Sequence, residues 1–169
     1  MENAQATETV QIISPEELLE NWLGHRRVTR RVIEAFPEDS LFHYTIGSMR
    51  TFAHIAKEIM GITGIGVKGI VTNEWQFTPE LDYNAKESIV NTKAELLAVW
   101  DKVTEDLLVW WPQITPQRFR EKTVAFGMYE DTVYGMLLYY IDNEIHHRGQ
   151  GYVYLRSLGI EPPAFWDRS

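Results

Sequence analysis

Near its C-terminus the chain places Asn143 four residues before His147, inside the run Tyr139-Tyr140-Ile141-Asp142-Asn143-Glu144-Ile145-His146-His147-Arg148-Gly149-Gln150. Residues four apart on a helix project in the same direction. An amide oxygen and an imidazole nitrogen aimed at one point can serve as donors to a divalent metal ion. They can equally be satisfied by another polar side chain or by water. Some partner is required, because a buried polar group left unpaired is costly. The sequence has no cysteine, so disulfides and thiolate-bound zinc or iron–sulfur centres are excluded.

The element that must position these donors is the longest helical pattern in the chain, roughly residues 131 to 158. Val133, Met136, Leu137, Tyr140, His147, Tyr154, Leu155 and Leu158 recur at intervals of three, four or seven, which marks one inward face. Gly159 suits the helix end, and Pro162-Pro163 prevents its continuation. Three earlier helices are expected. Ser14-Pro15-Glu16-Glu17 reads as a capping box with proline at the first helical position, opening a helix that runs to about Phe36. Residues 38 to 48 look irregular. Ser48 caps a second helix, from about Met49 to Ile70, whose four glycines lower its intrinsic helicity or admit a close neighbour. Thr92-Lys93-Ala94-Glu95 opens a third, to about Trp111.

Between these lie long connections, Val71 to Ile89 and Pro112 to about Glu130, and neither shows convincing strand alternation. The expected fold is therefore all-α: a single domain over residues 1–169, an antiparallel four-helix bundle with a long crossover between helices two and three. Phe165 and Trp166 in the C-terminal tail are expected to pack back on the bundle.

At 44 % apolar and 24 % charged residues, the composition is that of an ordinary globular protein. A net charge of −8 argues against direct nucleic-acid binding. Met1-Glu2-Asn3-Ala4-Gln5 carries acid and no apolar run, and no stretch reaches transmembrane length. A cytoplasmic location, with no membrane partner, is the expectation. The aromatic load of six Trp, eight Tyr and seven Phe exceeds what one small bundle readily buries, which suggests a homodimer.

Three stretches then carry a resemblance. Arg50-Thr51-Phe52-Ala53-His54, the segment from Gly69 to Trp75, and His146-His147-Arg148-Gly149-Gln150 followed by Tyr154-Leu155-Arg156 and Leu158-Gly159 are similar to the DinB/YfiT-like family of metal-dependent enzymes. The resemblance implies an up–down–down–up bundle. It also implies a divalent metal held by one histidine of helix two and two histidines, four apart, of helix four. By position these are His54, residue 143 and His147, and residue 143 is Asn143 here. An amide oxygen is a harder and weaker ligand than imidazole.

Two imidazoles and one oxygen suit zinc or nickel, with room left for water or a substrate. The implied activity is hydrolysis or S-transfer on a small-molecule substrate, with water or a low-molecular-weight thiol activated at the metal. The resemblance also carries an association with stress responses. Asn143 keeps open a non-catalytic binding module, or a structural dimer with a degenerate metal pocket.

Other polar residues divide between structure and site. Glu58 and Glu144 could be ligands, proton acceptors or orienting groups, although acidic residues are more often solvated. His146 points about 100° from His147 on a helix and reads as a boundary residue. His25 reads as a boundary histidine with a solvated edge. Arg148 and Gln150 could hold a helix end, an anion or a subunit contact, and Tyr140 and Tyr154 fill core or line the pocket.

Overall fold

Local capping sets where each long helix begins. In the computed structural model, which describes residues 12–169, Ser14 Oγ accepts from the Glu17 amide (3.1 Å) while the Glu17 carboxylate accepts from the Ser14 amide (2.7 Å). This box opens α1, Pro15–Ala35. The expected lead-in over the first dozen residues, including Met1 to Gln5, lies outside the described residues apart from Ile12. A short helix, α2 (Glu38–His43), occupies part of the stretch expected to be irregular. The second long helix, α3, is Phe52–Thr72 and is capped by Thr51 rather than Ser48. Asn73 ends it in the left-handed conformation at φ 61°. The Thr92–Glu95 box opens α4, Lys93–Trp110. Thr132 Oγ1 accepts from the Gly135 amide (3.1 Å) and opens α5, Val133–Ser157.

These helices form the expected all-α bundle, in which α3 and α1 each pack against both α4 and α5. The long crossover, residues 73–92, joins α3 to α4 and lies close over α3. A Cβ at Gly61 would meet the Leu81 carbonyl oxygen at 2.6 Å, so only glycine lets the crossover approach there. No helix among the described residues is long and apolar enough to cross a membrane.

Two expectations are corrected. The connection before α5 contains a two-stranded antiparallel hairpin, β1 (Lys122–Ala125) with β2 (Tyr129–Thr132). Its turn is closed by the Met128 amide donating to the Ala125 carbonyl (3.0 Å), with Phe126 and Gly127 both at positive φ (54° and 70°). Such turns favour Asn-Gly, and Phe-Gly conceals the signal. Phe165 and Trp166 do not pack back, being 58 % and 73 % exposed. Polar contacts anchor the tail instead. Arg27 donates to the Arg168 carbonyl (2.7 Å), and Arg168 donates to Asn21 Oδ1 (2.9 Å).

Candidate functional site

Helix α3 carries His54 and Glu58 one turn apart, and α5 carries Tyr140, Asn143, His147 and Gln150 on the face turned to α3. The two helices meet where His147 Nε2 donates to Glu58 Oε1 at 3.0 Å. Gln150 Oε1 accepts from His147 Nδ1 at 2.9 Å. Both ring nitrogens therefore face acceptors, which favours the imidazolium. Behind Glu58, Arg50 pairs with the other carboxylate oxygen at 2.5 Å. Arg50 is itself fixed through its backbone, where the Tyr154 hydroxyl donates to its carbonyl (2.6 Å). The result is a chain of four side chains, Arg50–Glu58–His147–Gln150, spanning α3 and α5.

The electrostatics follow from these contacts. Burial opposes charge on His147, yet its bonds to Glu58 and Gln150 outweigh that and raise its pKa. The hydrogen bond from His147, with help from Arg50, overcomes burial and pulls the Glu58 carboxyl down to about 2. On the Glu58 side, the bond's contribution to stability is full above the ordinary carboxylate value of 4.5 and is lost as pH falls towards about 2. On the His147 side, it is full below the ordinary imidazole value of 6.5 and is lost as pH rises through the raised value. Glu58→Gln in metal-free protein should therefore cost most, about 2 kcal/mol, between pH 4.5 and 6.5, and less on either side. Urea midpoints across pH provide the check. A cost that is flat with pH would mean that the bond is not ionic.

His54 is half-buried, and its ring takes no hydrogen bond among the described residues. Burial first, and Arg50 second, lower its pKa, which keeps it neutral. The Oδ1 atom of Asn143 is buried and has no hydrogen-bond partner among the described residues. Glu58 thus joins the site, while Glu144 does not. Glu144 is 0 % exposed and faces α1, where it accepts from Trp22 Nε1 (3.0 Å) and Thr29 Oγ1 (2.7 Å) and lies 3.6 Å from Arg26. Arg148 belongs to the same interior network, donating to the His25 carbonyl and to His25 Nδ1 (both 3.1 Å). His25 is accordingly a buried core histidine and not a boundary one. Burial, then Arg148 and Arg168, hold its pKa at about 4. His146 lies exposed on the helix surface.

Glu58 and Tyr140 also line a cleft of about 660 Å³. Its walls come from the crossover and the hairpin, not from the bundle. Phe77 of the crossover stacks on Phe126 of the hairpin turn (5.5 Å between centroids, 14° between planes), and Tyr83 meets Phe77 edge-on at 5.6 Å. Burial, followed by the nearby Glu58 charge, raises the Tyr83 pKa and keeps the phenol neutral. Sequence reasoning missed Arg50 and Gln150 as partners of the site, and it missed this cleft. The spacing of Gln150, three residues after His147, was the one signal that could have placed it.

Comparison with known proteins adds four findings. A model of the DinB family matches residues 2–168. The uncharacterized protein YjoA of Bacillus subtilis is 25 % identical over 155 residues, which cover 90 % of this chain and 96 % of YjoA. The crystal structure of that DinB-like protein superposes with a TM-score of 0.69 at 22 % identity, covering 90 % of this chain and 99 % of the other. A DinB-like protein from Bacillus cereus gives 0.68 at 20 % identity, covering 88 % and 95 %. At these identities the two structures speak for the fold.

Proposed function

The chain belongs to the DinB family, and from that premise we propose that it is a small-molecule enzyme working in the aromatic cleft, with one divalent metal held behind Glu58 by His54, Asn143 and His147, which do not themselves line the cleft. The buried Oδ1 of Asn143 carries the proposal. It is an acceptor without a donor, one helical turn before an imidazole that Gln150 already orients through Nδ1. A metal-binding histidine is normally held through its far nitrogen, as Gln150 holds Nδ1 here; Nε2, which donates to Glu58 in the metal-free protein, would have to leave that bond to reach an ion. The neutral His54 ring supplies a second imidazole.

Among the described residues no group of three His, Cys, Asp or Glu is arranged to hold a metal. An amide oxygen must therefore complete the set, and binding would be weaker than with three imidazoles. Zinc and nickel both suit such donors. When bound, the ion would polarise an oxygen or lower the pKa of water or a low-molecular-weight thiol, for hydrolysis or S-transfer on a small substrate. At a pKa of about 2, Glu58 is too weak a base for proton abstraction at neutral pH. Its part is to hold the His147 imidazole and, with Arg50, to close the polar end of the cleft. Tyr83 on the wall and the Tyr140 ring on the floor would offer aromatic surface to a substrate.

Asn143→His should tighten metal binding by about tenfold or more, since it replaces an amide with imidazole. Calorimetry of chelator-stripped protein measures this, and an unchanged or weaker affinity would remove residue 143 from the site. The enzyme reading is tested by screening metal-loaded protein against thiol-transfer and hydrolysis substrates. Turnover that survives chelation would overturn the metal-dependent mechanism.

A second reading has its own observation. The Arg50–Glu58–His147 chain is self-satisfied without any ion, which favours a non-catalytic small-molecule binding module. Folded native protein that binds no zinc or nickel would select it. A homodimer remains part of the proposal, supported by the exposed aromatic pair Phe165 and Trp166. Sedimentation at the monomer mass of 19.7 kDa at high concentration would exclude it.

A further inference from the structure

We propose that the aromatic cleft takes an organic cation: a small amine or quaternary ammonium group carried on an apolar body. This rests on the cleft being the substrate site, and it does not depend on the metal.

Six rings line the cleft: Phe77, Tyr83, Phe126, Tyr129, Tyr139 and Tyr140. The face of an aromatic ring attracts a cation through its quadrupole. Three carboxylates, Glu58, Glu130 and Asp131, also line it, and no lysine, arginine or histidine among the described residues does; Glu58 is already paired with Arg50 and His147, so the attracting field comes from Glu130 and Asp131 at the rim. Glu130 is met by Lys122 at 3.4 Å with both side chains mostly exposed, a pairing too well solvated to cancel its charge. Asp131, which accepts from the Thr132 amide (2.6 Å), stands at the rim. The net charge of −8 over the whole chain adds to the same field. An anion entering the cleft would lose hydration and find no cation on its walls. A neutral ligand would gain apolar contact alone. An ammonium group gains both the rings and the field.

Tyr140 forms part of the cleft floor: it is 3 % exposed, and its ring and hydroxyl are seated against α3 at Gly66, where a Cβ would lie 2.6 Å from the ring and 2.9 Å from the oxygen. Phe126, placed by the hairpin turn, sets its ring on Phe77. The cleft volume of about 660 Å³ suits a small molecule of one or two rings.

The test is calorimetric titration of the full chain, treated with chelator, against three ligands of matched shape: phenethylammonium, phenethyl alcohol and phenylacetate. The ammonium should bind at least about tenfold more tightly than the alcohol, and the carboxylate should not bind detectably. Tyr139→Leu, at an exposed position, should weaken the ammonium about fivefold and leave the alcohol unchanged. Glu130→Gln, on the hairpin surface, should shift the ammonium in the same direction. Equal binding of ammonium and alcohol, a preference for the carboxylate, or no binding of any ligand at millimolar concentration would overturn the proposal. Selective ammonium binding by protein that takes up no metal would leave this proposal standing and remove the metal. Metal uptake without ammonium selectivity would do the reverse.

Discussion

Glu144→Ala should destabilise the fold by about 3–5 kcal/mol, the usual cost of breaking a buried ion pair from one side. The carboxylate is fully buried and is the shared acceptor for Trp22 Nε1 and Thr29 Oγ1. It is also the counter-charge of Arg26, whose guanidinium is held by Thr104 Oγ1 (2.7 Å) and the Trp100 carbonyl (3.1 Å) and lies 4.1 Å over the Trp100 ring. Alanine removes the acceptor and leaves Arg26 charged and immobile inside the bundle. Glu144→Gln keeps an oxygen for one donor and should cost less, about 1–2 kcal/mol. Since domains are stable by only about 5–15 kcal/mol, the alanine variant should lie near the edge of folding. The check is the urea midpoint at constant slope, and a loss under about 1 kcal/mol would mean that the network is not a structural support.

His147→Ala should abolish metal affinity, with a loss on the order of 100-fold or more, whereas His146→Ala should change it little. Gln150→Ala should fall between, about tenfold, because it removes only the group that fixes the ring. In the structure both nitrogens of His147 face acceptors, so the ring must give up the Nε2 proton before that nitrogen can donate to an ion. Native binding should accordingly release about one proton at mildly acidic pH, read by calorimetry in buffers of different ionisation enthalpy. Equal affinity in the native protein and the His147→Ala variant would remove the proposed site, and a proton count near zero would mean that His147 is not the ligand.

The bundle was legible in the sequence because helices announce themselves locally. Ser14 with Glu17, and Thr92 with Glu95, opened the helices that their spacing implied. The site was legible only along single helices. Asn143, His147 and Gln150 share a face by spacing alone, but the bond from His147 to Glu58 joins residues 89 apart, and no periodicity reports that.

Periodicity also could not separate Glu144 from His147. Helix α5 is covered by both α1 and α3, so its buried arc is wide, and neighbours in the sequence go to different partners. The hairpin stayed hidden because its exposed positions mix Val124 and Tyr129 with charged residues, which hides any alternation, and because its turn carries phenylalanine where asparagine would have signalled it. The tail misled for a related reason. Apolar content implied burial for Phe165 and Trp166, but charged and backbone groups of residues 167–169 make the attachment.

The crossover and the hairpin build the walls of the cleft, while α3 and α5 supply its floor. This separates what can change from what cannot. Phe77, Tyr83, Phe126 and Tyr129 stand on connections outside the long helices, and of the four only Phe126 packs against a buried core cluster. Ligand preference can therefore drift among descendants of this chain through substitutions, or changes of length, in two loops. The floor is less free. Gly66 and Tyr140 must change together, and Glu144, one residue past Asn143, anchors the same helix to α1. Evolution, or a protein engineer, could thus retune what enters the cleft without disturbing the helices on which it rests.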